Sequence, residues 1–67
     1  MVKETERDWY FTFGHGHNPG IGNFAVYRGT RSTSRAKMVE AYGKKWSFQY
    51  ESAEKAGVRK YRLKRVN

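Results

Sequence analysis

The run Trp9-Tyr10-Phe11-Thr12-Phe13 constrains this chain more than any other feature. Side chains alternate between the two faces of a strand, so Trp9, Phe11 and Phe13 fall on one face and Tyr10 and Thr12 on the other. Aromatic and β-branched types favour a pleated, half-buried surface. The segment from Gly14 to Asn23 holds four glycines, two asparagines and a proline, the punctuation of a loop. Phe24-Ala25-Val26-Tyr27-Arg28 reads as a second strand. The expected unit is an antiparallel hairpin whose tip exceeds the usual length of roughly two to five residues.

Gly29-Thr30 ends that strand and opens a helix over 31–42. Thr30 or Ser32 is placed to cap it, Met38, Ala41 and Tyr42 recur at helical spacing, and Gly43 stands where a left-handed residue ends a helix. Met38 and Tyr42 belong to the core. Trp46-Ser47-Phe48-Gln49-Tyr50 alternates again and predicts a third strand. Ser52 caps a short turn over 53–56 that Gly57 stops, and Val58 to Val66 alternates as a last strand. These elements make an α+β fold in ββαββ order. The sheet is four-stranded and mainly antiparallel, with one main helix packed on one face and a short helical turn before the last strand. The covered face is expected to hold Trp9, Phe11, Phe13, Phe24, Val26, Trp46, Phe48, Tyr50, Tyr61 and Leu63. The open face is expected to hold Tyr10, Thr12, Ala25, Tyr27, Ser47, Gln49, Lys60, Arg62 and Lys64.

Sixty-seven residues support one domain, here 9–67 behind a flexible arm over 1–8. The chain has no cysteine, which excludes a disulfide or a thiolate zinc site and suits a reducing compartment. The core must come from two Trp, five Tyr and four Phe, each able to bury roughly 150–250 Å². The charged opening has no apolar stretch of signal-peptide type, and no run approaches a membrane span. The expectation is a cytoplasmic protein with no membrane partner.

The net charge of +8 is unevenly spread. Residues 1–33 carry four bases and three acids, whereas 34–67 carry ten bases and three acids. That asymmetry argues for attraction to a polyanion. An open sheet face mixing tyrosines with cations is the arrangement that stacks bases and holds phosphates. On this reading Lys60, Arg62, Lys64 and Arg65 hold phosphates, helped by Arg59, Lys44 and Lys45. Tyr10 and Tyr27 contact bases or sugars, and Gln49 reads a base edge or serves the sheet as a hydrogen bonder. The alternative is a solvated face whose lysines guard a sheet edge. The partner is nucleic acid, with DNA ahead of RNA, or else an acidic host protein that the chain docks on and modulates or inhibits. The chain itself is a monomer or a small homo-oligomer.

His15 and His17 lie two residues apart in the loop, too few ligands for a metal centre. Gly14-His15-Gly16 matches neither nucleotide-binding glycine pattern. The loop is a glycine turn, or else His15, His17 and Asn18 form a polar contact tip. With no third group to fix their geometry, the histidines do not make an acid–base pair. No cofactor and no catalytic residue is expected; the chain reads as a binder and not an enzyme.

Trp9-Tyr10-Phe11-Thr12-Phe13-Gly14, Gly29-Thr30, Met38, Tyr42-Gly43 and Lys45-Trp46-Ser47-Phe48-Gln49-Tyr50 together resemble a family of short, uncharacterised bacteriophage proteins. Those share a Tyr-Phe-Thr-Phe-Gly opening, a Gly-Thr helix start and a Gly-x-x-Trp-x-Phe-Gln-Tyr strand. The resemblance spans roughly residues 9–61. It implies a phage product made in a bacterial cytoplasm, a binder of DNA or of a host protein, and carries no residue role with it.

Overall fold

The computed structural model describes residues 5–16 and 20–67. β1 (Arg7–Thr12) and β2 (Asn23–Gly29) form the expected antiparallel hairpin, in register from Arg7↔Gly29 to Thr12↔Phe24. Arg7 and Asp8 therefore belong to the sheet and not to an arm, and residues 1–4 of that arm lie outside the described residues.

α1 (Arg31–Tyr42) runs over the predicted residues. Thr30 is the cap: its hydroxyl accepts from Thr33 N at 3.2 Å, and Thr33 Oγ1 accepts from Thr30 N at 2.8 Å. This reciprocal box satisfies two backbone donors that the first turn would leave orphaned. Gly43, at φ 65°, ends the helix by donating to Val39 O at 2.7 Å.

β3 is only Gln49–Tyr50, paired antiparallel with β1, and β4 is only Lys64–Arg65, paired parallel with β2. The sheet order is β3-β1-β2-β4. The sheet is thus mixed, which corrects the mainly antiparallel expectation. β2 and β3 both oppose β1, so they run parallel to each other with α1 as their crossover. β3 and β4 stand on opposite edges, so the chain between them crosses the sheet a second time, through α2 (Ala53–Ala56), which packs on β1 and β3.

Opposed residues of an antiparallel pair project to the same face. Trp9 and Phe11 therefore share a face with Tyr27 and Ala25, and Tyr10 and Thr12 share the other with Val26 and Phe24. This inverts β2 relative to the expectation, because a one-residue offset moves every side chain to the opposite face. Ala25, fully buried, is the small residue under α1, while Phe24 stacks on Tyr10 with ring centroids 6.0 Å apart. The buried cluster is Trp9, Phe11, Phe13, Ala25 and Met38, flanked by Tyr27, Tyr42, Trp46 and Val66. Phe11 meets Trp46 edge-on at 5.2 Å, and Phe13 meets Tyr42 at the same distance. Trp9 Nε1 donates to Gly29 O at 2.9 Å, so the buried indole leaves no orphan donor.

The last strand expected over 58–66 is instead mostly turn. Val58 N donates to Ala53 O and Gly57 N to Glu54 O, both at 3.1 Å, with Gly57 left-handed at φ 76°. Five residues on, Leu63 N donates to Val58 O at 2.9 Å and Arg62 N to Arg59 O at 3.3 Å, with Arg62 at φ 51°. Each set is a Schellman closure, and the two follow in tandem. Glycine suits position 57 at this positive φ, and a Cβ there would lie 2.5 Å from the Tyr61 ring. Beyond the turns, Lys64 N and Val66 N bond to Gly22 O and Phe24 O, each at 2.9 Å. The Asn67 carboxamide continues the ladder, accepting from Val26 N at 3.0 Å and donating to Val26 O at 2.7 Å.

Candidate nucleic-acid interface

The basic side chains of the described residues divide into two groups. In the first, each cation is engaged within the fold. Glu51 takes both Arg7, at 3.4 Å, and Lys55, four residues on. Asp8 takes Arg28 at 3.5 Å. Arg31 lies over the Trp9 ring at 4.9 Å and Arg35 over Trp46 at 5.6 Å. Lys37 donates to Arg28 O at 2.7 Å. The hydrogen bond and charge of Lys55, aided by Arg7 and Arg31, hold the Glu51 carboxyl below its ordinary range.

The second group is Lys44, Lys45, Arg59, Lys60, Arg62, Lys64 and Arg65, the seven cations singled out in the sequence. All are exposed, and among the described residues none forms an ion pair; Arg65 Nε donates to Asn67 Oδ1 at 3.4 Å. Glu54 borders a groove with Arg59 and Lys60 without closing on either. Lys44 and Lys45 precede Ser47, whose N–H donates to Thr12 O at 2.7 Å, and Lys64 pairs with Asn23. The topology therefore brings Lys44, Lys45, Lys64 and the hairpin tip to one end of the sheet.

The expected open face does not exist in the form read from the sequence. Lys60 and Arg62 lie on the tandem turns and not on a strand. Tyr10 and Tyr27 occupy opposite faces of the sheet, Tyr10 stacked on Phe24 and Tyr27 set edge-on to Phe11 at 6.1 Å. Gln49 faces α1, where its amide donates to Arg31 O at 2.9 Å and to Ser34 Oγ at 3.1 Å. Ser34, fully buried, donates from its hydroxyl to Arg31 O at 3.2 Å. Gln49 thus ties β3 to α1. His15 sits exposed in the tip, and His17 and Asn18 lie outside the described residues.

Alternation predicts Tyr61 in the core, yet it is 64% exposed. It lies between Lys60 and Arg62, with Lys60 Nζ 5.4 Å from its ring centroid. Its signal in the sequence was the interleaving of an aromatic with bases in Arg59-Lys60-Tyr61-Arg62. Phe48, also expected in the core, is 64% exposed and leans on Tyr50 at 6.2 Å.

Among the described residues no helix is long and apolar enough to cross a membrane, and no three His, Asp or Glu gather as metal ligands. Comparison with protein-family models, with curated proteins and with solved structures found no match to this chain.

Proposed function

We propose that this chain binds nucleic acid through the basic turns and edge strand at 59–65, acting as a binder without catalysis. The observation that carries the reading is the set Arg59, Lys60, Arg62, Lys64 and Arg65, exposed, without ion pairs among the described residues and interleaved with the exposed Tyr61. Glu51 pairs with Arg7 and Lys55, and Asp8 with Arg28, away from this segment. Unneutralised cations clustered beside an exposed ring are what phosphate contact with base stacking requires. Lys44 and Lys45 extend the surface at one end of the sheet. The sequence resemblance supports a phage-type binder working in a bacterial cytoplasm as part of the same proposal.

Binding of DNA and RNA oligonucleotides at low salt, followed by anisotropy, tests this. The pair Lys60→Glu and Arg62→Glu weakens binding several-fold; binding that is unaffected places the surface elsewhere. The rival reading, docking on an acidic host protein, draws on the exposed apolar side chains Ile21 and Phe48, 63% and 64% accessible. A stoichiometric protein captured from nuclease-treated bacterial lysate, with no oligonucleotide binding by the purified chain, would favour it.

A further inference from the structure

The second crossing of the sheet leaves a pocket of about 380 Å³ between the tandem turns and the sheet face opposite α1. Tyr50, Tyr61, Ile21 and Leu63 line it, with Thr12 and Asn23 as polar neighbours. Its volume lies within the roughly 300–1,000 Å³ of small-ligand pockets. Tyr61 and Leu63 alternate along the chain with Lys60, Arg62 and Lys64, so the apolar wall and the cations come from one segment. The Tyr61 ring is backed by Gly57, close enough that a Cβ there would meet it at 2.5 Å, which leaves the ring supported on one side and 64% accessible. Lys64 N is fixed to Gly22 O at 2.9 Å, which holds the neighbouring Leu63 at the Gly22–Asn23 side of the pocket.

We infer that this pocket takes one unpaired base of a single-stranded nucleic acid, with Tyr61 as the stacking surface and Lys60 and Arg62 on the flanking phosphates. The inference rests on the proposed nucleic-acid reading and adds to it a strand preference. An apolar pocket whose Tyr61 wall is flanked along the chain by the exposed cations Lys60 and Arg62 is complementary to a flat apolar ring carried between two phosphates. A paired base would have to leave its stack to enter, so a duplex is left with the rim contacts alone.

The test compares three probes of about 10 nucleotides each: an intact single strand, in DNA and RNA forms, the same strand with abasic sites throughout, and a duplex. All carry the same phosphates per strand. The intact strand binds roughly 5- to 150-fold tighter than the abasic strand. Tyr61→Ala abolishes that difference, and Tyr61→Phe keeps it. Ile21→Ala, at an exposed rim position, narrows the difference should Tyr61→Ala prove unfolded by circular dichroism. Equal affinity for intact and abasic strands overturns the base pocket but leaves the phosphate surface standing. A Tyr61→Ala variant that weakens both probes alike, or an acidic peptide with one aromatic residue that displaces the intact strand, also overturns it. Absence of binding to every probe at low salt overturns the pocket and the nucleic-acid reading together.

Discussion

Arg62 holds φ 51°, the only positive φ on a non-glycine residue among those described. An L-residue in that region costs about 1–2 kcal/mol against the right-handed form. Glycine removes that cost but adds roughly 0.5–1 kcal/mol of unfolded-state entropy. Arg62→Gly is therefore expected to stabilise the fold by about 0.5–1 kcal/mol. With an m-value of about 1 kcal/mol/M for a domain this small, the urea midpoint rises by about 0.5–1 M. Arg62→Val moves the other way, since a branched Cβ tolerates positive φ least. Were the segment a strand, the two variants would exchange signs: valine would be favoured and glycine penalised. A lower midpoint for Arg62→Gly, or a higher one for Arg62→Val, refutes the tandem closure. On the proposed reading the same Arg62→Gly protein loses one phosphate contact, so its oligonucleotide affinity falls while its stability rises. Loss of binding in this variant cannot then be blamed on unfolding.

Gly29→Ala would set a Cβ 2.3 Å from Thr33 Oγ1, the hydroxyl that closes the cap of α1; a loss of about 1–3 kcal/mol in urea unfolding is expected from such overpacking. Gln49→Ala removes the donor to Arg31 O and Ser34 Oγ at the half-buried seam between β3 and α1, and costs about 0.5–1.5 kcal/mol by the same assay. Glu51 titrates below the ordinary carboxylate range because Lys55 and Arg7 favour its charged form. Its contribution is therefore fully present above the unfolded pKa of about 4.3 and fades as pH falls through the lower folded value. Unfolding followed from pH 6 down to pH 2 should show this acid dependence reduced in Glu51→Gln, and carbon-detected NMR should place the Glu51 midpoint low.

Local signals were legible where one physical device decided the outcome. Thr30 as a cap, Tyr42-Gly43 as a helix end and Ser52 with Gly57 around a single turn each rest on backbone groups that a neighbouring residue must satisfy. The side-chain sets of β2 were not legible, because Phe24 with Val26 and Ala25 with Tyr27 are both apolar enough for a buried face. The register alone decides between them, and it comes from pairing across a loop of ten residues. The last segment misled for a different reason. Val58 to Val66 alternates like a strand, yet repeated turn closure with Gly57 and Arg62 at positive φ satisfies its backbone before the sheet does. The cations of the candidate surface were legible from charge alone, whereas Tyr61 was hidden by the strand assignment and Gln49 by the inverted face.

The central claim is that five cations of one segment, Arg59, Lys60, Arg62, Lys64 and Arg65, meet a polyanion together. A salt titration of oligonucleotide binding measures this directly, because log affinity falls against log salt by ~0.7 per phosphate neutralised on a single strand and ~0.9 on B-DNA. The account predicts a slope of about −3.5 on a single strand, made shallower by about 1.4 in the Lys60→Ala, Arg62→Ala double variant. Affinity that is undetectable at low salt, or a slope that the double variant leaves unchanged, would contradict it.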